Sequence, residues 1–150
     1  TWSSPMPKVR DVLARKGHMI VSVGPSVTVR AAAALMNEKG VGGLLVVDEA
    51  KQLLGVFTER DILRRVVVPG LDPETTLVAD VQTTDVVTCL PDTGLDECSV
   101  IMTKRRIRHL PVADADTVYG VITIGDVLAY RIAEQESTIQ YLNGYMFGTR

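Results

Sequence analysis

The chain has 150 residues, 46% of them apolar and 23% charged, the balance of a globular fold rather than a disordered or fibrous one. With 16 basic and 18 acidic side chains and a formal charge of −2, it has no global attraction for nucleic acid, so an anion site must come from a local cluster of cations. The longest apolar runs, such as residues 41–47, fall far short of the roughly 20 residues that a membrane helix needs, and two cysteines without a secretory pattern point to a reducing, cytoplasmic setting.

The opening "TWSSPMP" has neither an initial Met nor the basic-then-apolar layout of a signal peptide, and reads as a processed or truncated start. A short strand is predicted around 21–23, followed by a Pro25-Ser26 turn. A helix comes next, with Val29, Ala32, Leu35 and Met36 on one face. Gly40 ends it, where a left-handed residue is needed. Two strands around Asp48 then lead through Thr58-Glu59-Arg60-Asp61 into a second helix. Residues 68–77, with Pro69, Gly70 and Pro73, form a linker.

After the linker the same grammar returns. Shifted by 66 positions, "VSVGPSVTVRAAAALM" (21–36) falls on "VTCLPDTGLDECSVIM" (87–102), and "VGGLLVVD" (41–48) falls on "IRHLPVAD" (107–114). After a one-residue gap "GVFTERDIL" (55–63) meets "GVITIGDVL" (120–128), so the T-x-x-D of the first copy lies on Thr123-Ile124-Gly125-Asp126 of the second. In the second copy Leu95, Cys98, Ile101 and Met102 form the helical stripe, Cys89 sits in the opening strand, and both cysteines are expected to be small buried hydrophobes. The fold class is therefore α/β (α+β): two β-α-β-β-α units, 9–67 and 78–133, joined by the linker 68–77 and followed by a helical tail, 134–150. A unit of this size buries its apolar surface poorly alone, so the two are expected to pack sheet to sheet as one body with pseudo-two-fold symmetry. In the tail, Ile132, Ile139 and Leu142 share a face until Asn143-Gly144 stops the helix, and the apolar Tyr145-Met146-Phe147 either frays, as chain ends do, or packs on a second subunit.

A strand that ends in T-x-x-D places a hydroxyl and a carboxylate at the start of a helix. Such a helix end presents unpaired N–H groups that suit a phosphate, while a carboxylate can accept from both hydroxyls of a ribose. The same residues also make an ordinary helix cap. The two copies differ beside this motif. The second reads Lys104-Arg105-Arg106-Ile107-Arg108-His109, where the first has Lys39-Gly40-Val41-Gly42-Gly43. Lys104 and Arg105 suit a solvated helix end; Arg108 and His109 are placed inside the strand. Gly42 and Gly43, without side chains, would let a flat base or a sugar come close.

These segments, above all "VGGLLVVDEAKQLLGVFTERDIL" and "IRHLPVADADTVYGVITIGDVL", resemble a tandem pair of CBS domains, the Bateman module, over roughly residues 9–132. The second copy is the better match, since Pro111 supplies the proline of the family's L-P-V strand where the first has Leu45. The resemblance implies a regulatory domain, usually homodimeric, that binds an adenosine ligand such as AMP, ATP, NAD(H) or S-adenosylmethionine, with no obligatory cofactor. It makes Asp126 the ribose residue and Asp61 its counterpart, and sets Arg108 and His109 where relatives touch phosphate. By the family's geometry Thr123 and Asp126 face Met19, Val21, Val41 and Gly42, with Val121 closing the adenine slot. The mirror site uses Val56, Thr58 and Asp61 against Asp85, Val87, Ile107 and Arg108. Arg60 could reach a second phosphate, and Arg64 and Arg65 either join it or form an exposed face.

Nothing in the sequence assembles a catalyst: His18 and His109 fall in different units, and no nucleophile turn or metal-ligand spacing is present. The reading is a sensor whose ligand shifts an equilibrium between arrangements that an unidentified effector protein reads. Two alternatives stay open: a structural dimerisation module without ligand, and, more weakly, nucleic-acid binding through residues 104–109.

Overall fold

The computed structural model describes residues 6–17, 20–115 and 117–147, with side chains described to residue 136. The chain opens with helix α1 (Val9–Lys16), then strand β1 (Ser22–Val23), helix α2 (Val29–Lys39) and strands β2 (Gly43–Val47) and β3 (Leu53–Thr58). Helix α3 (Glu59–Asp61) runs directly into a π-helical stretch, Ile62–Val67. Helices α4 (Val78–Val81) and α5 (Leu95–Arg105), strands β4 (His109–Asp114) and β5 (Thr117–Thr123) and the long helix α6 (Ile124–Phe147) complete it.

Local chemistry sets the boundaries. Thr28 Oγ1 caps α2 by accepting from the Ala31 amide at 3.2 Å, and Gly40 closes it at φ +67° with its N–H on the Met36 carbonyl. The hairpin between β2 and β3 is pinned by Asp48, whose Oδ1 accepts from the Gln52 amide at 2.9 Å. Its partner α5 ends on Arg106, also left-handed, at φ +55°. Helix α6 starts at Ile124 and continues through Asn143 and Gly144 to Phe147, so the predicted stop fails. One glycine inside a long helix costs only about 1 kcal/mol and does not by itself break it. The side chains of Ile139, Leu142 and Tyr145 to Phe147 lie outside the described residues.

The first unit holds a three-stranded sheet in the order β1-β2-β3, with β1 parallel and β3 antiparallel to β2. In the second unit β4 and β5 pair antiparallel, but the expected opening strand is reduced to one parallel bridge, Cys89 with Val112. The cause is Pro111. In the first unit the Leu45 amide donates to the Val21 carbonyl at 3.1 Å. Pro111 stands at the corresponding position and has no N–H to give. Only the bonds from the Cys89 amide to the Pro111 carbonyl and from the Ala113 amide to the Cys89 carbonyl remain, each 2.9 Å.

The two units are stitched together by an exchange of helices. Val9, Val12 and Leu13 of α1 lie in one core with Leu95, Cys98, Met102, Leu110 and Ile122 of the second unit. Val78 and Val81 of α4 lie with Val29, Met36, Leu44, Phe57 and Val66 of the first. The backbone bonds repeat the exchange: the amides of Val9 and Arg10 donate to the carbonyls of Thr93 and Pro91, and those of Val78 and Ala79 to Val27 and Pro25. Residues 68–77 are tied to the start of α2, where the amides of Val29 and Arg30 donate to the Thr76 and Pro73 carbonyls and Arg30 pairs with Glu74 at 2.7 Å.

Two equivalent glycines make the exchange possible. A Cβ on Gly120 of β5 would lie 3.0 Å from Leu13 of α1, and one on Gly55 of β3 would lie 2.6 Å from the Thr83 carbonyl. Without those side chains, α1 settles on β5. On the other side Val56 and Thr83 exchange two backbone bonds of 2.9 Å.

Candidate functional site

Both T-x-x-D segments fold as reciprocal caps. In the second unit the Asp126 amide donates to Thr123 Oγ1 at 3.0 Å and the Thr123 amide donates to Asp126 Oδ2 at 2.9 Å. In the first, the Asp61 amide donates to Thr58 Oγ1 at 3.4 Å and the Thr58 amide to Asp61 Oδ2 at 3.0 Å. What meets each carboxylate is different.

Asp126 faces a cation. The seating of Leu13 on Gly120 brings the next turn of α1 over the end of β5, and there the Lys16 ammonium donates to the Val121 carbonyl at 2.9 Å and to Asp126 Oδ2 at 2.6 Å. The pair is only partly shielded, with side chains 32% and 22% exposed. His109 opens β4 directly opposite Thr123. Its ring reaches across the seam, 3.4 Å from where Gly42 and Gly43 would each carry a Cβ, and the Glu59 carboxylate lies equally close to Gly42. The space beside the two glycines is thus taken by His109 and Glu59. Burial holds the His109 imidazole below its ordinary value, against the upward pull of Glu59 and Asp126, while Lys16 and Arg108 add to the depression.

Asp61 is almost fully buried and meets a hydroxyl from the other unit, Thr83 Oγ1, at 2.9 Å. Arg65 lies 3.7 Å from its Oδ1 and also donates to the Gln82 carbonyl at 2.8 Å, with half of its side chain exposed. Arg64 is exposed. Arg60 donates across the units to the Arg106 carbonyl, where the left-handed residue ends α5, at 2.7 Å.

The structure therefore brings together Gly42, His109, Val121, Thr123 and Asp126. Arg108 stands just before β4 rather than inside it, with an exposed side chain, and its carbonyl accepts from the Ile124 amide at 3.2 Å. Val21 and Val41 pack against the first core, and Val87 and Ile107 against the second. Val56 is buried and paired with Thr83, and Asp85 is exposed. Met19 lies outside the described residues. Sequence reasoning missed Lys16, Glu59 and Thr83. One signal was available: Val9-Arg10-Asp11-Val12 and Val78-Ala79-Asp80-Val81 share a V-x-D-V pattern, which extends the repeat into α1 and α4 and marks the segments leading to Lys16 and Thr83.

Two α/β units that exchange their leading helices and set capped threonine–aspartate pairs at their seam define a duplicated two-unit module. A family model for the CBS domain matches residues 9–68 and 78–133. The chain belongs to the CBS domain family, as a tandem pair. It is 37% identical over 125 residues to the mitochondrial CBS domain-containing protein CBSX3 of Arabidopsis thaliana, covering 81% of this chain and 61% of that one. With the CBS domain-containing protein YhcV of Bacillus subtilis it shares 30% identity over 132 residues, 88% of this chain and 91% of the other. Among solved structures, a signal-transduction protein with CBS domains from Burkholderia ambifaria superposes with a TM-score of 0.82 at 39% identity, covering 86% of this chain and 96% of that one.

Proposed function

We propose that the chain is a regulatory module, acting as a homodimer, that binds an adenine nucleotide such as AMP, ATP or NAD(H) in the cleft of the second unit and passes the resulting shift to a partner protein. The observation that carries this reading is the meeting of opposite chemistries at the β5–α6 junction. Asp126 and the Thr123 hydroxyl stand at the start of α6, with the ammonium of Lys16 2.6 Å from the carboxylate and His109 on the neighbouring strand. A carboxylate suits ribose hydroxyls, while a helix start with nearby cations suits phosphate. The first unit is the poorer candidate, because Asp61 is buried, accepts from the Thr83 hydroxyl and has Arg65 3.7 Å away.

A thermal-shift screen of AMP, ADP, ATP, NAD, NADH and S-adenosylmethionine tests it. A ligand at 100 times its Kd adds about 2.7 kcal/mol, which for a chain of this size raises Tm by roughly 2–4 °C per kcal/mol. AMP or NADH is expected to give such a rise, and Asp126→Ala to abolish it while lowering the ligand-free Tm through the lost cap. An unchanged response in the variant would leave Asp126 as a cap alone.

A further inference from the structure

The exchanged segment brings a lysine to the second-unit carboxylate and a threonine to the first-unit one, where the nearby cation, Arg65 at 3.7 Å, comes from the unit's own helix, although the surrounding folds are copies. The segment that follows α4 and meets the first unit reads Gln82-Thr83-Thr84-Asp85, without a basic residue, and supplies Asp61 with a neutral hydroxyl. The segment that meets the second unit supplies Asp126 with the Lys16 ammonium, which also donates to the Val121 carbonyl. Both Lys16 contacts fall on the last residues of β5 and the first turn of α6, where the proposed ribose would lie.

We propose that Lys16 is the residue that makes this cleft select phosphorylated nucleosides over uncharged or cationic ones; this rests on the nucleotide-binding reading above. Ribose hydroxyls that take Asp126 Oδ2 compete with the ammonium for the same oxygen. A neutral nucleoside displaces the cation and leaves it without an anionic partner. A nucleotide displaces it and offers a phosphate in exchange, which the four-carbon stem of lysine can follow by a rotamer change. Arg108 on the same rim adds to the field, and a sulfonium ligand brings a second cation against both. Lys16 is thus a specificity-determining residue, contributed by α1 to a site whose other polar groups stand on β4, β5 and α6.

Isothermal titration of the full chain with AMP, adenosine and S-adenosylmethionine tests this, with melting curves to confirm that each variant is folded. The parent protein is expected to bind AMP at least tenfold more tightly than adenosine, and the preference to shrink as salt is raised. Lys16→Gln is expected to weaken AMP about tenfold and to leave adenosine unchanged or tighter, so that the preference collapses; Lys16→Arg, which keeps the charge, is expected to retain it. A Lys16→Gln protein that binds AMP and keeps the parental ratio overturns the role of Lys16 while leaving the cleft a nucleotide site. A parent protein that binds neither AMP nor adenosine overturns both.

Discussion

At the scale of single residues, His109 is a titratable group packed at the seam of the two units. Its imidazole lies over Gly42 and Gly43, with Glu59, Asp126, Lys16 and Arg108 close enough to act on it, and burial prevails in holding its pKa down. An unfolded histidine titrates near 6.5, so below that pH the unfolded chain takes up a proton that the folded one resists. The contribution of His109 to stability is therefore full above pH 6.5 and is lost as pH falls from there through its depressed folded value. Urea midpoints measured between pH 5 and 7.5 should fall toward the acid end. The difference between the parent and His109→Gln, which isolates this group from His18 and the carboxylates, should carry that slope; parallel profiles would place His109 outside the pH response. Thr123 and Asp126 were readable as a pair from the repeated T-x-x-D, and His109 from the difference between the two copies, their roles being what the family resemblance implied. Lys16 was not, since its partner is 110 positions away and no local pattern reports a contact of that range.

At the scale of elements, α1 stabilises a unit to which the chain order does not assign it. Val9 and Leu13 are buried in the second core, and Leu13 lies against Gly120 in the middle of β5. Leu13→Ala should cost about 2–5 kcal/mol, the usual range for a buried leucine. Amide exchange should rise in 109–123 more than in 43–58. Equal loss in both sheets would mean that the exchanged helix supports the whole body rather than the second unit. Pro111 acts in the opposite sense: by removing one donor it trims the opening strand of the second unit to a single bridge, although Pro111 itself belongs to the family pattern. The repeat predicted two equal strands; an imide nitrogen made them unequal.

For the whole molecule, the duplication leaves two equivalent apolar faces uncovered. Leu63 and Val67 on the π-helical stretch are 57% and 61% exposed, and Leu128 and Ile132 on α6 are 59% and 46% exposed. The paired positions match at the offset that superimposes the T-x-x-D motifs. Related faces of this kind suit an isologous interface, in which a second copy covers both at once. Leu63→Asp combined with Leu128→Asp should shift sedimentation equilibrium from dimer to monomer without lowering Tm by more than a surface change does; a mass unaffected by the double change would remove these faces from the interface.

By itself the sequence determined the local and repeating features: two α/β units, their core stripes, the glycine at the end of α2, the Asp48 hairpin and the capped T-x-x-D pairs. Each follows from residues a few positions apart, where periodicity and hydrogen-bonding capacity suffice. Only the tertiary structure decided which helix serves which core, which side chain meets each aspartate, and that His109 fills the space beside Gly42 and Gly43. Those outcomes depend on how closely the Thr83 backbone approaches Gly55 and the Leu13 side chain approaches Gly120. Close approach between segments far apart in the chain is a property of packing, which no run of neighbouring residues encodes.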